Sequence, residues 1–183
     1  MKDRNQLLGV VQRASRAIED NGHLRSVLRR AAHCGDVIGL EAADAFAQAL
    51  RGWLGGWRLD DTVADGAMVL LAQRNVKHWT KSGGNVPPKD HVAQLLGEKI
   101  GDRRRLSELR FQRLLRAEDT DDRLQQMRRA IALLDPPLHP LAVVEAWLGL
   151  HSEAGRRRFA RAYFTGLPVA DESAATEPTP EAA

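Results

Sequence analysis

Arginine dominates the chemistry this sequence can offer. Between residues 101 and 135 the chain reads GDRRRLSELRFQRLLRAEDTDDRLQQMRRAIALLD. On a helical wheel, Arg110, Arg113 and Arg116 lie opposite Phe111, Leu114 and Leu115, with Leu106 and Leu109 nearer the arginine side. In a second pattern, Leu124, Met127, Ile131 and Leu134 follow i, i+3, i+7, i+10, and Arg128 and Arg129 flank that stripe. An ordinary solvated helix face mixes lysine with glutamate. This one is almost entirely arginine, whose planar guanidinium fork matches phosphate oxygens. The chemistry expected is a grip on a nucleic-acid backbone.

The residues needed for catalysis do not fall into a recognisable spacing. His23, His33, His78, His91, His139 and His151 form neither an HxxxH nor an HxxE pair, so no metal site is expected. Cys34 is the single cysteine, which rules out an intrachain disulfide and a cysteine zinc cage; it reads as a small buried hydrophobe. No serine sits in a nucleophile elbow. Gly83-Gly84 follows Lys81 instead of preceding it, and no strand leads in, so the phosphate-loop spacing is absent. The expectation is a protein without enzymatic activity or cofactor.

The elements that must position the arginines read as helices throughout. A first helix spans 3–20, with Leu7, Leu8, Val11, Ala14, Ser15 and Ile18 in phase, and Asn21-Gly22 is expected to end it in the left-handed conformation. The next stretch, HLRSVLRRAAHCG, sets Leu24, Val27, Leu28 and Ala31 against Arg25, Arg29 and Arg30. An alanine-rich helix then runs to about Gly52, before a turn whose Trp53 and Trp57 read as packing wedges between helices, although paired tryptophans can also stack nucleobases. A helix over 62–79 buries Val63, Ala67, Leu70 and Leu71 and ends in the basic stretch Arg74, Lys77, His78 and Lys81. SGGNVPPKD is a loop, and His91 to Ile100 a short helix. In the central stretch the linker AEDTDD separates two helices. Asp119 or Thr120 caps the second, and Asp121 and Asp122 fall in its first turn, where carboxylates favour the dipole. Two further helices, one at 141–150 with Trp147 and one in SEAGRRRFARAYF docked by Phe159 and Tyr163, complete the pattern.

No β-alternation stands out, so the fold is expected to be all-α: a helical bundle with an N-terminal lobe at 1–100 and a C-terminal lobe at 101–166. Residues 167–183 form an acidic tail whose composition reads as disordered. A chain of 183 residues with 43% hydrophobic and 28% charged residues is an ordinary soluble globular protein. No run approaches the roughly 20 apolar residues of a membrane span and no leader opens the chain, so a cytoplasmic protein is expected. The net charge of +3 understates the basic character. The tail carries four acids and no lysine or arginine, which leaves +7 on residues 1–166.

These residues resemble the CasB family, the small subunit of the type I-E CRISPR Cascade surveillance complex. The resemblance is carried by Arg110, Leu114, Leu115, Arg116 and Ala117, then the acidic linker EDTDD, then Gln126, Met127, Arg128 and Arg129 before a proline-rich turn. It continues into PLHPLAVVEAWLGL and RRRFARAYF, and more weakly back to HLRSVLRR and NVKHWTKSGG, covering about 23–164. It implies a non-enzymatic all-α protein present as two copies head to tail along the inner face of the complex. There it would contact other Cascade subunits and the CRISPR guide RNA backbone, hold target DNA, and help retain the displaced non-target strand in the R-loop. Carried over by position, the nucleic-acid-binding candidates are Arg29, Arg30, Lys77, Lys81, Arg110, Arg116, Arg128 and Arg129; Arg113 is added from the helical wheel alone.

Two other classes compete. A helical scaffold would turn its arginines toward acidic protein partners; separately, some of the candidate arginines would be structural if buried in pairs with Glu108, Glu118 or Glu145. A helix-turn-helix regulator would need Asn, Gln or Ser facing base edges, whereas arginine favours backbone contact.

Overall fold

The computed structural model describes residues 3–54, 60–77, 86–135 and 137–165. Within them the chain is all-α, with helices α1 (Arg4–Asp20), α2 (Gly22–Arg30), α3 (Glu41–Leu54), α4 (Asp61–Leu71), α5 (His91–Gly97), α6 (Glu108–Arg116), α7 (Thr120–Ile131), α8 (Pro140–Leu150) and α9 (Glu153–Thr165). A 3-10 turn at Cys34–Val37 precedes α3. The described extended structure is a small antiparallel hairpin, β1 (Lys99–Ile100) paired with β2 (Arg103–Arg104), and one parallel bridge between Val76 and Leu138. The expected lobe boundary at 100–101 falls at the tip of that hairpin, where Gly101 adopts a positive φ of 62°. The calls on Trp57, His78, Trp79, Lys81 and the acidic tail lie outside the described residues.

Two helices form the centre. In α4 every residue from Val63 to Leu71 is buried, and α8 is buried along most of its length, so both are enclosed on all sides, with Asp65 the one charged side chain in that stretch of α4. They pack on each other, and Trp147 of α8 donates its indole N–H to the Val63 carbonyl at 2.7 Å. A Cβ on Gly66 would sit 2.5 Å from the Trp147 ring, so the glycine is what lets the indole lie against α4. Around this pair the amphipathic helices close a single contiguous core that runs from Leu7 in α1 to Tyr163 in α9. Phe111 of α6 stacks on Tyr163 with centroids 3.7 Å apart, and the Tyr163 hydroxyl donates to the Leu106 carbonyl at 2.5 Å.

Several boundaries differ from the sequence pattern, each because a backbone group found a different partner. Asn21 is extended, with φ −117°, and its side chain accepts from the Leu24 N–H at 2.9 Å; it caps α2 and does not end α1 in the left-handed region. The helix expected over 62–79 stops at Leu71. Beyond it, the Lys77 N–H donates to Leu138 O at 3.2 Å and the Leu138 N–H to Asn75 O at 2.8 Å, a pairing that a continued helix would forbid. The helix expected to reach Ile100 stops at Gly97, where a Cβ would lie 2.0 Å from the Tyr163 carbonyl oxygen. Leu106 is buried although the wheel put it near the arginines, because α6 begins only at Glu108, and Leu109 stays exposed.

The caps of the central stretch follow the sequence closely. Asp119 caps α7 by accepting from the Asp122 N–H at 2.7 Å, with Asp121 and Asp122 in the first turn. Asp121 also accepts from the Cys34 N–H at 2.7 Å, which ties α7 to the 3-10 turn. Cys34 is buried; burial first, and then the Asp121 carboxylate, hold its thiol protonated.

Asp65 is the costly group of the core. Burial, with Asp61, Asp44 and Asp60 adding like charge, raises its pKa to about 6. Between pH 4 and 6 the folded chain keeps a proton that the unfolded chain has released, so this residue lowers stability as pH rises through that window. Asp65→Asn should therefore raise stability at pH 7.5 by roughly 1–2 kcal/mol, with the gain gone below about pH 4. Urea denaturation at the two pH values checks this.

Candidate nucleic-acid interface

The arginines divide by what their guanidinium groups already touch. An α-helix leaves its last carbonyls without an intrahelical donor, and here arginines from neighbouring elements supply it. Arg128 of α7 donates from Nη1 to Ala31 O at 2.5 Å and from Nη2 to Arg29 O at 3.0 Å, closing the end of α2. Arg29 in turn donates from Nε to Ala72 O at 2.7 Å, at the end of α4. Arg104 donates from Nη1 to Gly97 O at 2.8 Å and to Tyr163 O at 3.1 Å, at the ends of α5 and α9. Arg156 reaches Leu150 O at 3.1 Å, at the end of α8.

Arg123, which the sequence pattern did not single out, is the buried member of this group. Its Nη2 donates to Ala117 O at the end of α6, and its Nη1 lies 3.2 Å from His151 Nδ1. Burial, then the charges of Arg123 and Arg156, push the His151 pKa down to about 4. The imidazole is therefore neutral near pH 7, and Nδ1 can accept from the guanidinium. The only signal in the sequence was position: Arg123 falls beside Leu124 and Met127 on the apolar side of α7.

Ion pairs engage Arg104 a second time and several further arginines. Arg4 meets Glu145 at 2.6 Å, Arg104 meets Glu108 at 3.7 Å, Arg105 meets Glu98 at 2.8 Å and Asp135 at 3.5 Å, and Arg158 meets Asp90 at 2.9 Å. Glu108 and Glu145, two of the three acids that could have locked the candidate arginines, are thus engaged with Arg104 and Arg4. The Arg105–Asp135 pair also joins the entry to α6 with the segment after α7, so the two helices form an antiparallel hairpin.

The remaining basic residues include most of the candidates. Arg110, Arg113 and Arg116 are exposed along α6, and Arg129 is exposed on the adjoining α7. Among the described residues none of the four has a carboxylate within ion-pair distance. Arg30 is exposed, and its Nε donates to Ser26 O of its own helix at 3.3 Å. Lys77 is exposed five residues beyond the carbonyl that Arg29 holds. Arg29, Arg30 and Arg128 are brought into one neighbourhood by the Arg128–Arg29 contact. Lys81 lies outside the described residues. Arg103, in the run Arg103-Arg104-Arg105, is also exposed with no acid partner among the described residues, and the run itself was the signal that could have added it.

The C-terminal arginine cluster is mostly engaged. Phe159 and Tyr163 are buried and dock α9, and Arg156, Arg157 and Arg158 contact Leu150 O, Glu153 and Asp90 respectively. Among the described residues, no three metal-ligating side chains gather, and no helix is long and apolar enough to cross a membrane.

The family model for CRISPR-associated protein Cse2 matches residues 24–164, from inside α2 to the last turn of α9. The chain belongs to the Cse2 family. No curated protein and no solved structure matches it. As a Cse2-family member the protein is a CRISPR Cascade subunit, and the match takes in all the arginine-capped helix ends as well as the exposed arginines of α6 and α7. Helix α1 precedes the match, yet it packs on α3 and α8 and contributes Leu7, Val11 and Ile18 to the core.

The split between the two groups of arginines is directly measurable. Arg128→Ala removes two donors from the end of α2 and should cost about 1–2 kcal/mol of stability. Arg129→Ala, one residue along, should stay within about 0.5 kcal/mol of the parent. Denaturation midpoints of the two variants check the difference.

Proposed function

We propose that this Cse2-family protein is the non-enzymatic small subunit of a type I-E Cascade complex, holding nucleic-acid backbone on the face formed by α6 and α7. The observation that carries this reading is the exposure of Arg110, Arg113, Arg116 and Arg129 on two adjoining helices without acid partners among the described residues. Charges that fold stability required would have been capped or paired, as Arg128 and Arg158 are. Guanidinium groups left solvated offer charge-assisted, base-independent contacts to phosphates.

Arg29, Arg30, Lys77 and Lys81 extend the same reading from the first half of the chain, and Arg128 both supports the end of α2 and adds its charge. The partners are other Cascade subunits, the guide RNA, the target strand, the displaced strand and a second copy of the chain. Residues 1–100 and 101–166 act as two lobes on one shared core, offering successive basic patches. R-loop formation exchanges one duplex for another of similar stability, so modest backbone contacts are enough to tip it.

The test is charge reversal at solvated positions only. A chain carrying Arg110→Glu, Arg113→Glu and Arg129→Glu should bind a mixed-sequence single-stranded oligonucleotide at least about tenfold more weakly at low salt, with its circular dichroism still helical. Undiminished binding by the reversed chain, together with loss of its association with other Cascade subunits, would favour a protein scaffold instead.

A further inference from the structure

Basic residues are unevenly placed along this chain. Between Arg30 and Arg51, and again between Arg58 and Arg74, the sequence has no lysine or arginine, although the whole chain has 27. Those two stretches hold Asp36, Glu41, Asp44, Asp60, Asp61 and Asp65 instead. They form the 3-10 turn, α3 and α4, which pack together. An acidic face on a basic protein repels nucleic acid and suits a cationic protein partner.

One seam between α3 and α4 gathers four of the charges. Arg51 near the end of α3 meets Asp61 at the start of α4 at 3.4 Å, and the two helices pack along each other, so they run antiparallel. Asp44 precedes Arg51 by seven residues and shares its face of α3; Asp65 follows Asp61 by four and shares its face of α4. Asp65 therefore lies along the seam between the Arg51–Asp61 pair and Asp44. The Asp61 charge is met by Arg51, and the Asp60 side chain accepts from the Thr62 N–H. Asp65 has no such relief. It is 7% exposed, and among the described residues no hydrogen bond or ion pair meets its carboxylate, while Asp61, Asp44 and Asp60 all add like charge. The 3-10 turn on its other side presents the Cys34 thiol, which stays protonated and supplies no cation.

A buried carboxylate without a counter-ion is costly, and a cation brought against it recovers much of that cost. Among the described residues no three metal-ligating side chains gather, so the seam does not form a metal cage. A single cationic side chain reaching in from outside meets the need. Beside the seam, Ile38 is 76% exposed and lies against Gly35 of the 3-10 turn that packs on α4, which adds an apolar contact at the rim. We propose that the α3–α4 seam docks a basic segment of another Cascade subunit, one lysine or arginine of that segment pairing with Asp65 while Ile38 packs at the edge. This docking does not depend on the nucleic-acid reading of α6 and α7.

The test uses Cascade assembled on its guide RNA without this subunit, to which the full chain is added back. At pH 7.5, Asp65→Asn, which keeps the shape of the side chain, should associate at least about tenfold more weakly than the parent. The carboxylate pairs only when ionised, and burial with the neighbouring acids sets its ionisation in the free chain at about 6. The advantage of the parent over the variant should therefore shrink by about tenfold between pH 7.5 and pH 5. Both chains should bind the single-stranded oligonucleotide equally, which separates lost docking from a damaged nucleic-acid face. Equal association of the two chains with the complex at pH 7.5 would overturn the proposal. So would an Asp65 carboxyl carbon that titrates below pH 4 in the free chain, since a cation of the chain itself would then hold it. A melting temperature raised by Mg²⁺ or Ca²⁺ in the parent but not in Asp65→Asn would overturn it in favour of a metal site. Self-association of the free parent that the substitution abolishes would overturn it in favour of a second copy.

Discussion

Carbonyl groups at helix ends need donors, and meeting that need with guanidinium groups is the constraint on which this structure depends. Its helices are short, so ends are frequent, and several of them are packed together where water cannot solvate every carbonyl. Arginines reach across from neighbouring elements to the ends of α2, α4, α5, α6, α8 and α9. Asn75 does the same for the end of α7, donating to the Ile131 and Leu134 carbonyls. Each such contact fixes one helix against another, and the apolar pair α4 and α8 fills the space between them. Among the arginines that are not exposed, Arg104, Arg123, Arg128 and Arg156 hold helix-end carbonyls, while Arg4, Arg105 and Arg158 pair with carboxylates.

The exposed arginines are spread over several elements, Arg13 and Arg16 of α1, Arg74 beyond α4 and Arg161 of α9 among them, and one group shares two adjoining helices. Arg110, Arg113, Arg116 and Arg129 are solvated on an antiparallel helix pair whose other side is anchored by Phe111, Leu114, Leu124 and Met127. The capping arginines hold these helices in place, and the solvated ones face outward from them. This separates two sets of guanidinium groups: one holds helix ends together, and the other is exposed to solvent.

The sequence disclosed the helices, the Asp119 cap and the buried face of each central helix, because apolar periodicity and capping chemistry are local properties. It did not disclose where helices stop when the reason is distant. The end of α4 depends on a bridge to Leu138, sixty-two residues beyond Val76, and the end of α5 on the approach of Tyr163 to Gly97. Nor could it sort the arginines. Arg128 and Arg129 are neighbours of one type in one helix, and only the packing of residues 29–31 against α7 makes the first a capping group and leaves the second in solvent. Arg123 shows the same limit from the inside: a buried guanidinium on an apolar stripe, tolerated because a carbonyl and a neutral histidine meet it.

The most direct measurement of the central claim is the salt dependence of single-strand binding, compared between the two kinds of arginine. Neutralising Arg113 and Arg129 to glutamine should lower the slope of log affinity against log salt by roughly 1.4, the loss of two phosphate contacts. Neutralising Arg156, which caps α8, should lower the melting temperature and leave the slope where it was. Equal slopes for all three chains, or a fall as large for Arg156 as for the solvated pair, would contradict the division on which the account is built.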